Sequence, residues 1–85
     1  MQVTVRLGEP FWRQANAREV TLELPAGATV RLLLEELARA YPALKPVLQD
    51  DDLPPTVFLG DELAGPDSPL SEGARPTLLW AMSGG

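Results

Sequence analysis

Along the first seven residues Val3, Val5 and Leu7 alternate with Gln2, Thr4 and Arg6, the two-residue period of a strand that buries one face. The alternation returns at Val20, Leu22 and Leu24 against Glu19, Thr21 and Glu23, and Pro25-Ala26-Gly27 closes it with turn formers. Gly8-Glu9-Pro10 interrupts the first run, so the two strands form an N-terminal hairpin joined by a loop around Asn16. That loop is longer than a tight turn and holds Phe11, Trp12 and Arg13. We read its aromatic pair as a hydrophobic lid in preference to a contact surface, because exposed aromatic pairs are the less common case.

After Gly27 the period lengthens. Val30, Leu33, Leu34, Leu37, Ala38 and Tyr41 fall on one helical stripe, with Arg31, Glu35, Glu36 and Arg39 on the other side. Thr29 is placed to cap the helix, and Pro42 ends it by forcing the residue before it out of the helical region. Leu32 lies off the stripe and is expected to be an incidental exposed leucine. From Pro42 to Pro55 four prolines and the run Asp50-Asp51-Asp52 predict an irregular main loop. The three aspartates are adjacent and lack the alternate spacing and downstream glutamate of a calcium loop, so a solvated acidic loop is the expectation.

Thr56-Val57-Phe58-Leu59 reads as a short buried strand, turned by Gly60-Asp61 into a short return strand at Glu62-Leu63. Pro66 to Gly73 is turn-rich, with Leu70 as its core anchor. The last predicted strand runs from Thr77 to Met82, with Leu78, Trp80 and Met82 on one side and Thr77, Leu79 and Ala81 on the other. Both sides are largely apolar, which predicts a central strand covered at least partly on each face. Strand, strand, helix, strand, short strand, strand is the order of an α+β, ubiquitin-like β-grasp. The expected architecture is a mixed sheet of four to five strands, with the first and last strands parallel at its centre and one main helix packed on one face. Residues 1–82 make the predicted domain and 83–85 a flexible Ser-Gly-Gly tail.

Composition narrows the chemistry. The 85 residues include neither cysteine nor histidine, which removes disulfides, thiol nucleophiles, imidazole catalysis and zinc-type sites. Any chemistry must use carboxylates or the termini, no metal site is expected, and the carboxylates form no recognisable catalytic pair. Twelve acidic against seven basic residues give a net charge of −5, which argues against nucleic acid and for a basic protein partner. Lys45 is the sole lysine, so there is no polybasic membrane patch. No apolar run approaches a membrane span and the first residues do not resemble a signal peptide, so a cytoplasmic protein is expected. The remaining feature is the ending, Ser83-Gly84-Gly85. A glycine carboxylate on a tether without side chains can be threaded into a narrow active site that excludes bulkier termini.

The residues from Leu24 through Leu37, then Tyr41-Pro42-Ala43-Leu44, Pro69-Leu70-Ser71-Glu72-Gly73 and the final Ser83-Gly84-Gly85 together resemble the sulfur-carrier family. That family comprises the small subunit of molybdopterin synthase (MoaD-like), the thiazole carrier (ThiS-like) and the carriers of cysteine synthesis and tRNA thiolation. The resemblance covers nearly the whole chain. It implies a reagent in place of an enzyme: an E1-like adenylating enzyme of the MoeB/ThiF type uses ATP to convert the Gly85 carboxylate to an acyl-adenylate. Sulfur then displaces AMP to leave a thiocarboxylate, which a synthase such as the molybdopterin synthase large subunit consumes. The chain itself would bind no cofactor. Gly85 and Gly84 take the chemical role by this resemblance, Ser83, Met82 and Trp80 the approach to the partner's channel, and Phe58 and Leu59 a docking patch. Plain core packing is the alternative for Phe58 and Leu59. Molybdopterin-type members carry Pro-Pro where this chain has Trp80-Ala81, and the segment Gly8 to Arg13 is closer to the cysteine-synthesis type. The acceptor therefore stays open, with molybdopterin favoured over cysteine, thiazole or tRNA thiolation; the alternatives are a ubiquitin-like modifier that joins Gly85 to a target lysine and a plain β-grasp interaction domain whose glycines are incidental.

Overall fold

A computed structural model describes residues 1–9, 11–48 and 55–79. Its sheet has the order β2-β1-β5-β3-β4, built from β1 (Gln2–Leu7), β2 (Glu19–Glu23), β3 (Thr56–Leu59), β4 (Glu62–Ala64) and β5 (Pro76–Leu79). β1 runs antiparallel to β2 and parallel to β5, and β3 runs antiparallel to both β5 and β4. Parallel neighbours require a long crossover, and everything between β1 and β5 supplies it. The fold is the predicted α+β β-grasp, with a five-stranded mixed sheet and one main helix.

The side chains of Val3, Val5, Leu7, Val20, Val57 and Leu78 project from one sheet face into a core shared with Val30, Leu33, Leu37 and Ala38 of α2 (Val30–Ala40). The N-terminus of α2 is fully accounted for. Thr29 Oγ1 accepts from Leu32 N at 3.4 Å, while the N–H groups of Val30 and Arg31 donate to Ser68 O at 3.0 Å and Pro66 O at 2.9 Å. These would otherwise be orphan donors. The Pro66–Leu70 segment is thus tied across the start of the helix, and Leu70 is buried as expected. At the far end Tyr41 N donates to Leu37 O, and Pro42 stops the helix. Leu32, expected outside, is half-buried and packs against the core.

Two further expectations are corrected. The loop after β1 contains α1 (Phe11–Ala15), a short helix closed by Asn16 at φ 59°, a left-handed position that asparagine tolerates. Phe11 in it is completely buried, the lid role predicted for the aromatics, whereas Trp12 is only half-buried. The stretch after Pro42 is not irregular throughout. Pro42–Leu44 forms a 3-10 turn and α3 (Lys45–Leu48) follows, because Leu44 and Leu48 stand one helical turn apart and both reach the core, with Pro42 and Pro46 in first-turn positions where their missing N–H costs nothing. As expected, β5 is central, with one face buried in the core and the other only partly shielded, Thr77 being half-buried. Leu78 and Pro76 point into the core, whereas Leu79 is 38% exposed, since no second layer lies over the other face among the described residues. Asp50-Asp51-Asp52 and the predicted strand residues Trp80, Ala81 and Met82 lie outside the described residues.

Candidate functional site

Strand register decides which residues share the open face. Phe58 stands opposite Thr77 on one side and Leu63 on the other, and Leu79 stands opposite Thr56. Since opposed residues point the same way, Phe58, Leu63, Leu79, Thr56 and Thr77 form one surface across β5, β3 and β4. It is largely apolar: Leu63 is 70% exposed, and Phe58 is half-buried. Across β1 and β2 the same face is polar, with Thr4 Oγ1 and Thr21 Oγ1 3.1 Å apart and Arg6 Nε 3.9 Å from a Glu19 carboxylate oxygen. The open face is therefore divided, and its apolar half holds the last described residue before the glycine tail.

Phe58 and Leu59, paired by sequence as a docking patch, occupy opposite faces. Leu59 packs against the core, and Phe58 lies on the open surface. Leu63 and Leu79 were not singled out by sequence. The signal for Leu63 was there in its place opposite Phe58 across the Gly60-Asp61 turn, where Gly60 takes φ 67° and so sets a two-residue hairpin connection. Trp80, Met82, Ser83, Gly84 and Gly85 lie outside the described residues.

The end of β5 at Leu79 is closely packed. Gly8 N donates to Leu78 O at 2.8 Å, and a Cβ on Gly8 would stand 2.6 Å from Leu79 Cδ2. Glycine is what lets Leu79 lie there. Beside it, Trp12 is flanked by the guanidinium groups of Arg18 at 4.2 Å and Arg13 at 4.9 Å from its ring centre, within cation–π range. Arg13 also bonds Glu9 at 3.0 Å, and this contact holds the Glu9 carboxyl below the usual carboxylate range.

Among the described residues no charged or polar side chain is buried, no group of three acidic residues is placed to hold a metal ion, and no helix is long and apolar enough to cross a membrane. What this surface offers chemically is apolar contact area flanked by a polar half.

No protein-family model matches the sequence, and no curated protein does. Solved structures do. The crystal structure of SAMP1 from Haloferax volcanii is similar over all of both chains, with 26% identity and a TM-score of 0.86. The putative molybdopterin converting factor subunit 1 from Pyrococcus furiosus is 23% identical with a TM-score of 0.80, over 96% of this chain and 99% of that one. A chain of the BexX/CysO complex from Amycolatopsis orientalis is 21% identical with a TM-score of 0.73, over 98% and 99%. The latter two carry the fold, and the first extends the likeness along the whole sequence. With its five-stranded sheet, its single main helix and its end-to-end match to these solved structures, the chain has the MoaD/ThiS-like β-grasp fold.

Proposed function

We propose that this chain is a protein sulfur carrier whose Gly85 carboxylate is adenylated by an E1-like enzyme of the MoeB/ThiF type and converted to a thiocarboxylate. The thiocarboxylate delivers sulfur in a cytoplasmic biosynthesis, with molybdopterin formation as the destination. The observation that carries the reading is the apolar half of the open sheet face, which includes Leu79 on the strand that precedes the tail in sequence, on a fold shared over its full length with SAMP1. A carboxylate resists attack because it would have to expel oxide; joined to AMP, it has a weakly basic leaving group. Sulfur can then take the place of that group, which explains how a chain without cysteine handles sulfur. ATP belongs to the partner enzyme, and no cofactor is assigned to this chain.

In this reading Phe58, Leu63 and Leu79 seat the partner, and Trp80, Met82 and Ser83 lead Gly84 and Gly85 into its channel. Leu59 supports the patch from beneath. The same surface serves the adenylating enzyme and then the synthase, as expected of a carrier that visits both in turn. A chain of the BexX/CysO complex has this fold, which supports a stable seat on a larger protein.

Protein modification is the second reading, favoured by the likeness to SAMP1, described for Haloferax volcanii as small archaeal modifier protein 1. Gly85 would then end in an isopeptide bond to a target lysine. Both readings share adenylation, so the direct test is ATP–pyrophosphate exchange by the host's E1-like enzyme. Full-length chain supports exchange. The chain lacking Gly85 folds and does not, and Leu63→Asp folds and raises the half-saturating concentration by about tenfold or more, the cost of a central interface anchor. Exchange supported equally by the chain without Gly85 contradicts both readings.

A further inference from the structure

Beyond acting as donor, the chain carries one position at which it can itself be acylated. We propose that Lys45 is the single acceptor amine of this protein, so that a second activated copy is joined to it through one defined isopeptide linkage, Gly85 to Lys45. This rests on the adenylation of Gly85 proposed above.

The chain contains two amines, the α-amine of Met1 and the side chain of Lys45. The first is engaged: Met1 N donates to Leu24 O at 2.7 Å and lies 3.5 Å from Glu23 Oε2, with its side chain only 9% exposed. It extends the β1–β2 ladder by one more bond, beyond the Gln2 to Glu23 pair. To attack a carbonyl it would have to break that bond and peel the strand end away. Lys45 is the opposite case. It is exposed, and it has no hydrogen-bond or ion-pair partner among the described residues, whereas four of the six arginines are ion-paired.

Position strengthens the assignment. Lys45 begins α3, in the helical layer behind the sheet, whereas the docking surface of Phe58, Leu63 and Leu79 is on the open sheet face. A partner seated on that face leaves Lys45 uncovered. Lys45 also borders a shallow groove of about 250 Å³ that it shares with Glu35, Ala38 and Arg39 of α2. Two glycines without side chains can lie along such a groove and bring a carbonyl to the amine.

The step balances without a redox partner. ATP and the Gly85 carboxylate of the donor copy give its acyl-adenylate and pyrophosphate. The unprotonated Lys45 nitrogen of the acceptor attacks the Gly85 carbonyl carbon, a C–N bond forms and the bond from that carbon to the phosphate oxygen breaks. AMP departs with the electron pair, and the nitrogen's proton passes to water.

The test uses the full chain with ATP, magnesium and the host's E1-like enzyme, without a sulfur donor, following pyrophosphate release and covalent dimer by mass. The expected product is a dimer one water lighter than two chains, whose peptide map places the branch at Lys45. Lys45→Arg keeps pyrophosphate release and loses the dimer. A dimer that persists in Lys45→Arg, or activation of the wild-type chain with no dimer, overturns the inference and leaves the proposed function standing; absence of pyrophosphate release removes both. Independently, limiting acetyl N-hydroxysuccinimide should label Met1 in the folded chain at least tenfold more slowly than in urea, while Lys45 changes little. Equal labelling of Met1 in the two states would show its amine to be available and would end the elimination on which Lys45 stands.

Discussion

Where β1 ends beside Leu79 of β5, Gly8 and Leu79 fit against each other so closely that a single methyl group decides the packing. A Cβ at position 8 would meet Leu79 Cδ2 at 2.6 Å and Leu78 O at 3.1 Å. The first contact can be relieved by rotation of a side chain, the second only by moving backbone. Gly8→Ala should therefore lower Tm and push Leu79 outward, and part of its cost should vanish in a Leu79→Ala background. Additive losses in that double-mutant cycle would show that the two residues do not meet. Glu9, in the same corner, is held ionised by Arg13. A carboxyl so lowered contributes stability above its unfolded value and loses that contribution as pH falls through the folded one. By NMR titration Glu9 should show a midpoint below that of the unfolded chain, and Arg13→Ala should raise it; an unmoved midpoint would remove Arg13 as the cause.

At the scale of elements, the clearest prediction concerns the segment after α2. Leu44 is completely buried although it sits in a three-residue turn, so Leu44→Ala should cost about 2–5 kcal/mol of stability, as for other fully buried leucines. A loss below 1 kcal/mol in denaturant unfolding would mean the turn is not anchored. This turn also marks the limit of what sequence made legible. The helix α2 was readable because eleven residues repeat an apolar stripe three times and Thr29 caps the start. Helices α1 and α3 are five and four residues long, shorter than any stripe that distinguishes helix from loop, and tertiary burial of Phe11, Leu44 and Leu48 forms them. Strands were legible by alternation, and the parallel central pair followed from element order. The open face was not: Leu79 has the same sequence signal whether a second layer covers it or not. For the candidate site, Phe58 was found and Leu63 and Leu79 were not, because a surface made by three strands depends on register.

For the whole molecule, the proposed division of labour is between a packed β-grasp domain and a chemically simple tail. The domain buries no polar side chain among its described residues, and its two exposed large hydrophobic residues among them, Leu63 and Leu79, lie on one half of one sheet face. The acidic charge of −5 suits partners of opposite sign, and Lys45, on the helical side, stays free of the docking face. In the central claim the tail is a substrate. The most direct measurement is the intact mass of the protein after incubation with ATP, a sulfur donor and the host's E1-like enzyme, for the full chain and for one lacking Gly85. A gain equal to the replacement of one oxygen by sulfur, on the full chain alone and mapped to Gly85, is the result predicted. An unchanged mass while the enzyme demonstrably adenylates another carrier of this fold, or the same gain on the chain without Gly85, would contradict it.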